Sequence, residues 1–477
     1  MLKPTIGLEI HAELKTKTKM FCGCPNDPEE KHPNTNVCPV CLAHPGVLPT
    51  ANVEAVKSVI KVGMAVNGRI PDKAKFDRKS YFYPDLPKGY QISQYDEPLV
   101  LGGELIGIKI RRIHLEEDTA RLAHSGDGKF SLVDFNRAGV PLMELVTEPV
   151  IHSAEEALRF AKELQLLLRY LGASDADMEK GEMRVEANIS IADENSGEFG
   201  TKVELKNINS FKAVESATAY EIERQAKLLS EGGKIVQETR GWDPVKEKTF
   251  SQRTKEEAHD YRYMPEPDIP PLDFTKPGAI DLNEVRSSLP ELPWQKRERF
   301  AKDYNLEPAQ AEFLVADRAA GDFFEEAVSE MEEDGGGKNI VLLFNYLSSD
   351  LQGLLREAGL KTGDEDFKIT PAKFADLITL IAKGEITSRA AKNVLSEMFK
   401  TALDAHEIIK GMSLDEFGGE DKLRGVVKEV IEQNGKAVAD YKKGKENALQ
   451  FLTGQVMAKT RGGSRPDEVV SLLKELM

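Results

Sequence analysis

Ile6-Gly7-Leu8-Glu9-Ile10-His11-Ala12-Glu13-Leu14 alternates without interruption. Ile6, Leu8, Ile10, Ala12 and Leu14 fall on one side of an extended chain, and Gly7, Glu9, His11 and Glu13 on the other. That period of two belongs to a strand with a buried apolar face and a Glu/His/Glu face opposite it. Residues 182–191 repeat the design, with Met183, Val185, Ala187, Ile189 and Ile191 opposite Glu182, Arg184, Glu186, Asn188 and Ser190. Residues 202–206 do so again, with Val203 and Leu205 opposite Lys202, Glu204 and Lys206. Ser153-Ala154-Glu155-Glu156 predicts a capping box opening an amphipathic helix through Leu158, Ala161, Leu164, Leu168 and Leu171, stopped by Gly172. A second helix is expected from about Phe211 to Glu231, ended by Gly232-Gly233. Residues 1–280 thus read as an α+β domain whose sheet has one unusually charged face.

After Pro267-Asp268-Ile269-Pro270-Pro271 the texture changes, and from about residue 285 the pattern is almost continuously helical. A second, weaker boundary falls near residue 400, so the expected division is 1–284, 285–400 and 401–477. Residues 332–338, rich in Glu and Gly, read as a flexible loop between helices. Apolar runs such as Ile340-Val341-Leu342-Leu343-Phe344 are far too short to span a bilayer. The first residues show no basic segment followed by an apolar one, which predicts a cytoplasmic protein with no membrane attachment.

With 80 acidic and 64 basic residues the net charge is −16, which argues against a nonspecific nucleic-acid binder. Residues 436–465 run the other way. Lys436, Lys442, Lys443, Lys445, Lys459, Arg461 and Arg465 stand against only Asp440 and Glu446. Such a segment can contact phosphates, although a solvated helix face has the same composition.

All four cysteines, Cys22, Cys24, Cys38 and Cys41, lie within twenty positions of one another. Two closely spaced thiolate pairs on tight knuckles can close the tetrahedral sulfur site that suits structural zinc. Two disulfides or buried apolar cysteines are the competing readings, disfavoured by the otherwise intracellular character of the chain. Four thiolates leave no open coordination position, so the cluster points to rigidity rather than to chemistry.

Glu9 and His11, at i and i+2, project side by side and can share a divalent ion or act as an acid/base pair. Similar groups accumulate elsewhere. His114-Leu115-Glu116-Glu117-Asp118 sets three carboxylates in a row after a strand, and Asn136 to Glu144 brings Arg137 and Glu144 around a Gly/Pro turn. Glu204 to Ser210 leads from a strand into a helix N-terminus, a natural anion seat. Carboxylates, lysines and helix N-termini are what a Mg-nucleotide site needs. Phe76 to Tyr90 interleaves two phenylalanines and three tyrosines with Arg78, Lys79 and Lys88, either to stack on bases or to fill a packed loop. No G-x-x-x-x-G-K-[ST] and no G-x-G-x-x-G after a strand occurs, so ATP use would require a fold without a P-loop.

Taken in order, these stretches closely resemble the B subunits of tRNA-dependent amidotransferases. The resemblance is carried by Gly7 to His11, the cysteine knuckle, Pro45 to Pro49 and residues 76–98. It continues through His114 to Asp118, Asp134 to Pro149, Thr201 to Phe211 and residues 260–271. Lys368 to Pro371, Gly384 to Thr387 and Phe451 to Met457 extend it essentially to the end. It implies a cradle-like catalytic domain resembling the glutamine synthetase and guanidino kinase fold, then an all-α helical domain and a small helical tRNA-binding tail. It implies ATP-dependent phosphorylation of the side-chain carboxylate of a misacylated Glu-tRNA(Gln) or Asp-tRNA(Asn). Ammonia from an amidase (glutaminase) partner subunit then displaces phosphate, and a small third subunit completes a heterotrimer.

The family's divalent-metal and nucleotide positions match Glu9, His11, Glu117 and Glu144, which implies Mg2+ there. The charge pattern adds Lys79, Glu204 and Lys206 as further nucleotide-binding candidates, with Lys79 also a candidate in catalysis. Glu186 stands where members usually carry Asp and is left out of the expected site. Two rivals compete: a zinc-ribbon RNA-binding protein without catalysis, and a metal-dependent hydrolase built on Glu9, His11 and the 116–118 carboxylates. Phosphate release that depends on ATP and tRNA separates the amidotransferase from both.

Overall fold

The computed structural model describes residues 2–254, 261–331, 336–411, 420–442, 445–459 and 466–477. The first expected strand is β1 (Leu2–Glu13), and it becomes the middle of the main sheet. Short strands follow α1 (Val53–Ala65): β2 (Lys73–Ala74), β3 (Asp77–Ser80), β4 (Tyr90–Ser93), β5 (Val100–Leu101) and β6 (Glu104–Leu105). Then come β7 (Ile108–Glu117), the hairpin β8 (Arg121–His124) and β9 (Ser131–Asp134), and β10 (Pro141–Thr147). After α2 (Ala154–Tyr170) lie β11 (Met183–Asp193) and β12 (Val203–Ile208). After α3 (Phe211–Ser230) lie β13 (Glu238–Asp243), β14 (Lys248–Thr254), β15 (Met264–Pro265) and β16 (Leu272–Asp273).

Nine strands form the main sheet in the order β14-β13-β12-β11-β1-β10-β7-β5, with β6 also paired to β7. All pairs are antiparallel except β12 with β13. Ile6, Leu8, Ile10, Ala12 and Leu14 are essentially unexposed. The pair α2 and α3 packs on the sheet, α2 against β1 and α3 against β11 and β12. Fully burying an isoleucine or leucine contributes about 1.5–3 kcal/mol, so this stripe sets the register of the central strand and turns Glu9 and His11 to the other side. A three-stranded sheet, β15-β3-β4, brings Lys79 on β3 into the cleft beside Glu144 on β10.

Local details differ from expectation in instructive ways. Ser153 caps α2 by accepting from Glu156 N, but the Glu156 carboxylate accepts from His152 N rather than from the cap residue. The carboxylates at 116 and 117 end β7 rather than follow it. Gly336 and Gly337, expected in a loop, open a helix; residues 332–335 of that stretch lie outside the described residues, as does Asp260.

By internal contacts the chain divides into two compact units, Met1–Pro293 and Trp294–Met477. The first closes with α4 (Leu282–Ser287). The regular elements of the second are all helices among its described residues. It contains α5 (Pro293–Asp303), α6 (Pro308–Ala316), α7 (Arg318–Glu330), α8 (Gly336–Asn345) and α9 (Gln352–Ala358), with a π-helical turn at Tyr346–Leu351. Next come α10 (Pro371–Ala382), α11 (Ser388–Thr401), α12 (Ala405–Gly411) and α13 (Glu420–Gln433). The last are α14 (Gly435–Lys442), α15 (Glu446–Lys459) and α16 (Pro466–Leu476). Leu423, Val427, Val430, Leu452, Val456, Val469, Leu472 and Leu473 form a core of their own at the C-terminal end. No helix among the described residues is long and apolar enough to cross a membrane.

Candidate functional site

Register builds the site. His11 on β1 lies opposite Glu144 on β10, and Glu144 lies opposite His114 on β7. Directly paired residues share a face, so Glu9, His11, Glu144, His114 and Glu116 all rise from the polar side of the sheet. His11 Nε2 is 3.4 Å from Glu144 Oε2, 3.5 Å from Glu116 Oε1 and 3.9 Å from Glu9 Oε1. His114 Nε2 is 3.3 Å from the same Glu144 oxygen. Glu9, His11 and Glu144 form one potential ligand set, and His114, Glu116 and Glu144 an overlapping second. Ligands held about 2.1–2.4 Å from a cation at right angles are about 3.0–3.4 Å apart; the contacts of Glu144 with His11 and His114 have that spacing, and Glu9, at 3.9 Å from His11, would close in by about half an ångström.

The charges are strongly coupled. Burial, then repulsion from Glu144 and Glu186, pushes Glu9 up to about 7. Burial disfavours the charged form of His11, but Glu144 and Glu116 outweigh it and raise His11 to about 9. Burial disfavours the charged form of Glu144, yet His114 and His11 hold its carboxyl well below the usual range. Three carboxylates around one imidazole, with Arg112 Nη2 3.7 Å from Glu144, offer a cation several anionic oxygen donors.

The cluster opens into a cleft of about 770 Å³, lined among others by Lys79, Arg111, Arg112, Tyr95 and Tyr263. Lys79 lies with its ammonium 4.9 Å from the centre of the Tyr261 ring. Burial opposes its charge, but Glu116, Tyr263 and Glu144 together raise its pKa. On the other flank, Lys206 Nζ pairs with Glu186 at 2.8 Å and reaches Glu204 at 4.0 Å. Thr239 Oγ1 donates to Glu204 at 2.8 Å. Glu186, left out of the expected site, thus serves as the partner of Lys206.

Of the expected residues, the structure brings together Glu9, His11 and Glu144, sets Lys79 at the same cleft, and lines its far side with Glu204 and Lys206. Glu117 is placed elsewhere. It accepts from Ile92 N at 2.9 Å and from Lys88 Nζ at 2.7 Å, on the opposite face of β7. The carboxylate of this run in contact with His11 is Glu116, and neither it nor His114 belongs to the ligand set expected from sequence. Parity held the signal: Ile113 and Leu115 are fully buried, so 114 and 116 must face the other way and 117 must share the apolar side. Arg111, extra in a bulge opposite Val146–Thr147, obscures that pattern upstream. Tyr261 and Tyr263 had no local signal, since only the pairing of β15 with β3 delivers them.

The 76–90 stretch divides between its two readings. Phe76 is buried and Arg78 lies over the Tyr90 ring and pairs with Glu266, whereas Phe82 and Tyr83 are exposed.

The four cysteine sulfurs lie within 4.8 Å of one another, and none is in a disulfide. Cys38 and Cys41 sulfurs are 3.9 Å apart. A tetrahedron with zinc–sulfur bonds of about 2.3 Å has edges of about 3.8 Å, so the cluster fits the metal. In the basic C-terminal segment, Lys459 pairs with Glu429 and Lys445 with Asp440, which lowers the charge left for a partner. Lys443, Arg461 and Arg465 lie outside the described residues.

Residues 4–278 match the family model described as the GatB/GatE catalytic domain, and residues 322–477 match the GatB domain. The chain is similar to the B subunit of the aspartyl/glutamyl-tRNA(Asn/Gln) amidotransferase of Persephonella marina, with 46% identity over 100% of this chain and 99% of that protein. It is similar to the protein of the same name from Carboxydothermus hydrogenoformans, at 45% identity over 98% of both chains. The Thermotoga maritima protein of that name shares 44% identity over 100% of this chain and 99% of its own length. Similarity sustained along both units, from the His11 strand to the last helix, means that the chain belongs to the family of aspartyl/glutamyl-tRNA(Asn/Gln) amidotransferase B subunits.

Proposed function

We propose that this chain is the ATP-using ligase subunit that amidates misacylated Glu-tRNA(Gln), Asp-tRNA(Asn) or both. The observation that carries the reading is the His11 imidazole ringed by Glu9, Glu116 and Glu144, two of which, Glu9 and Glu144, line a cleft large enough for a nucleotide.

A side-chain carboxylate is a poor electrophile for ammonia, and phosphorylation supplies a leaving group. Phosphoryl transfer asks a protein mainly for positioning and charge neutralisation. Glu9, His11, Glu116 and Glu144 would hold Mg2+, which when bound neutralises phosphate oxygens. Lys79, kept cationic by Glu116, Tyr263 and Glu144, would steady the phosphoryl group or the substrate carboxylate. Lys206, charged between Glu186 and Glu204, lines the far side of the cleft and would meet nucleotide phosphates. The cysteine cluster would hold zinc in a structural role. A zinc-ribbon protein without catalysis would leave the His11 cluster without a purpose.

By this reading residues 1–284 form a cradle akin to the glutamine synthetase and guanidino kinase fold, 285–400 a helical domain and 401–477 a tRNA-binding tail. The relatives' names describe one component of a multi-subunit enzyme. The partners proposed here are an amidase subunit that releases ammonia from glutamine and a small third subunit, all cytoplasmic. The test is to assay the assembled complex with each purified misacylated tRNA, glutamine, ATP and Mg2+. The reading expects amide formation on at least one tRNA with about one ATP consumed per amide, as an acyl phosphate requires. Amidation without ATP would refute it.

A further inference from the structure

Lys19 is fully buried, although lysine is among the residues least often enclosed. Its ammonium donates to Phe135 O at 3.1 Å and points at Cys41 Sγ, 3.9 Å away. Among the described residues no carboxylate lies within ion-pair distance of it. A buried ammonium needs an anion, and the one within reach is the thiolate cluster. The cluster needs the cation as much, because four thiolates around a divalent ion carry a formal charge of −2.

The surroundings hold this contact in place. Lys19 N donates to Cys24 O at 3.0 Å, and Met20 N donates to Gly139 O at 2.7 Å. Gly139 has φ +85°, and a Cβ there would touch Lys19 Cδ and Cys41 Cβ at 3.6 and 3.7 Å. The loop that carries Phe135 is stitched to the knuckle further along. Asn36 N donates to Asn136 Oδ1, Asn136 Nδ2 to His32 O, and Phe135 N to Asn34 Oδ1. That loop leads directly into β10, the strand of Glu144.

We propose that Lys19 is the built-in counter-cation of the cysteine-bound metal: it offsets the thiolate charge, raises metal affinity, and through Phe135 O ties the cluster to the loop entering β10. This rests on the reading of the four cysteines as a zinc site. Groups that support a metal's ligands without touching the metal characteristically change affinity 10–100-fold.

The experiment uses the full-length chain in its native complex, purified without chelator. Zinc content is measured first, and zinc affinity is then read by competition with a chromophoric chelator. Wild type is compared with Lys19→Met, which keeps the volume, and Lys19→Gln, which keeps a donor for Phe135 O but no charge. One zinc per wild-type chain and about 10–100-fold weaker zinc binding in both variants is the expected result. Wild-type affinity in a folded Lys19→Gln protein would overturn the counter-cation role while leaving the zinc site standing. Zinc-free wild type, with four titratable thiols, would overturn both. Should neither variant fold, amine acetylation of wild type mapped by mass spectrometry decides. Lys19 should be protected while zinc is bound and become reactive after extraction, and surface-like reactivity in the zinc-loaded protein would overturn the proposal.

Discussion

Glu116 and Glu117 are consecutive in the chain and serve opposite faces of β7. The first lies 3.5 Å from His11 Nε2, and the second receives the Lys88 ammonium at 2.7 Å. Glu116→Gln should therefore weaken Mn2+ or Mg2+ binding to the catalytic unit by about tenfold or more. Glu117→Gln should leave cation affinity unchanged and instead loosen the junction with β4, where its carboxylate accepts from Ile92 N. Manganese titration followed by electron paramagnetic resonance distinguishes the two. A Glu117→Gln protein that loses the ion while Glu116→Gln keeps it would reverse the assignment.

Glu9→Gln and His11→Ala should abolish ATP-dependent amidation, a loss of at least about a hundredfold in kcat, with tRNA affinity nearly intact. Glu9 lines the cleft, and His11 meets the carboxylates of Glu9, Glu116 and Glu144. Steady-state kinetics with a filter-binding measurement of tRNA checks it, and near-normal turnover in either variant would refute the role.

Supplied with ammonium salts in place of glutamine, the isolated chain should carry out some amidation, still dependent on ATP and Mg2+. All four cysteines are gathered in one sulfur cluster, so a nitrogen nucleophile from solution is needed once the carboxylate is activated. Glutamine-dependent product from the partner-free chain would contradict this division of labour.

Removal of residues 401–477 should raise KM for tRNA while the partner subunits still assemble. The C-terminal end has its own apolar core, centred on Val427, Leu452 and Val469, so its loss need not unfold what precedes it. Because Lys445 and Lys459 are already paired, the salt dependence should be shallower than the local charge of +5 implies. Unchanged KM would make the segment a solvated helix face.

In the C-terminal unit Lys296 is buried between Asp322 and Glu325, and Arg299 also binds Glu325. Burial alone would raise the Glu325 pKa, but Arg299 and Lys296 hold it below the ordinary value. A carboxyl with a depressed folded pKa contributes stability that is present above its unfolded pKa, about 4.5, and is lost as pH falls through the folded value. Glu325→Gln should then destabilise the α5–α7 contact by about 1–3 kcal/mol at pH 7. The gap should close once the pH is lowered past the folded pKa. Hydrogen exchange of α5 and α7 at the two pH values reads both effects, and a pH-independent difference would deny the ion pair its part.

Local chemistry determined much of this protein from sequence alone. The uninterrupted alternation of residues 6–14 required a strand buried on one side, because one apolar stripe cannot be enclosed without turning Glu9 and His11 to the other. The spacing of Cys22, Cys24, Cys38 and Cys41 was enough to bring four sulfurs together, since each pair closes on its own turn. Ser153 announced its helix because a cap acts within three residues. What needed the tertiary structure were relations between strands distant in sequence. His11 meets Glu144 only because β1 pairs antiparallel with β10 in one register, and a slip of one residue would separate them. Glu116 and Glu117 look alike as residues, and the pleat of β7, locked by buried Ile113 and Leu115, decides which of them reaches the site. Lys79, Tyr261 and Tyr263 belong to a second sheet, and Lys19 finds its thiolate through a fold of the knuckle onto Gly139. Periodicity reports the face on which a side chain lies, but the partner it meets there is decided by the packing of the whole core.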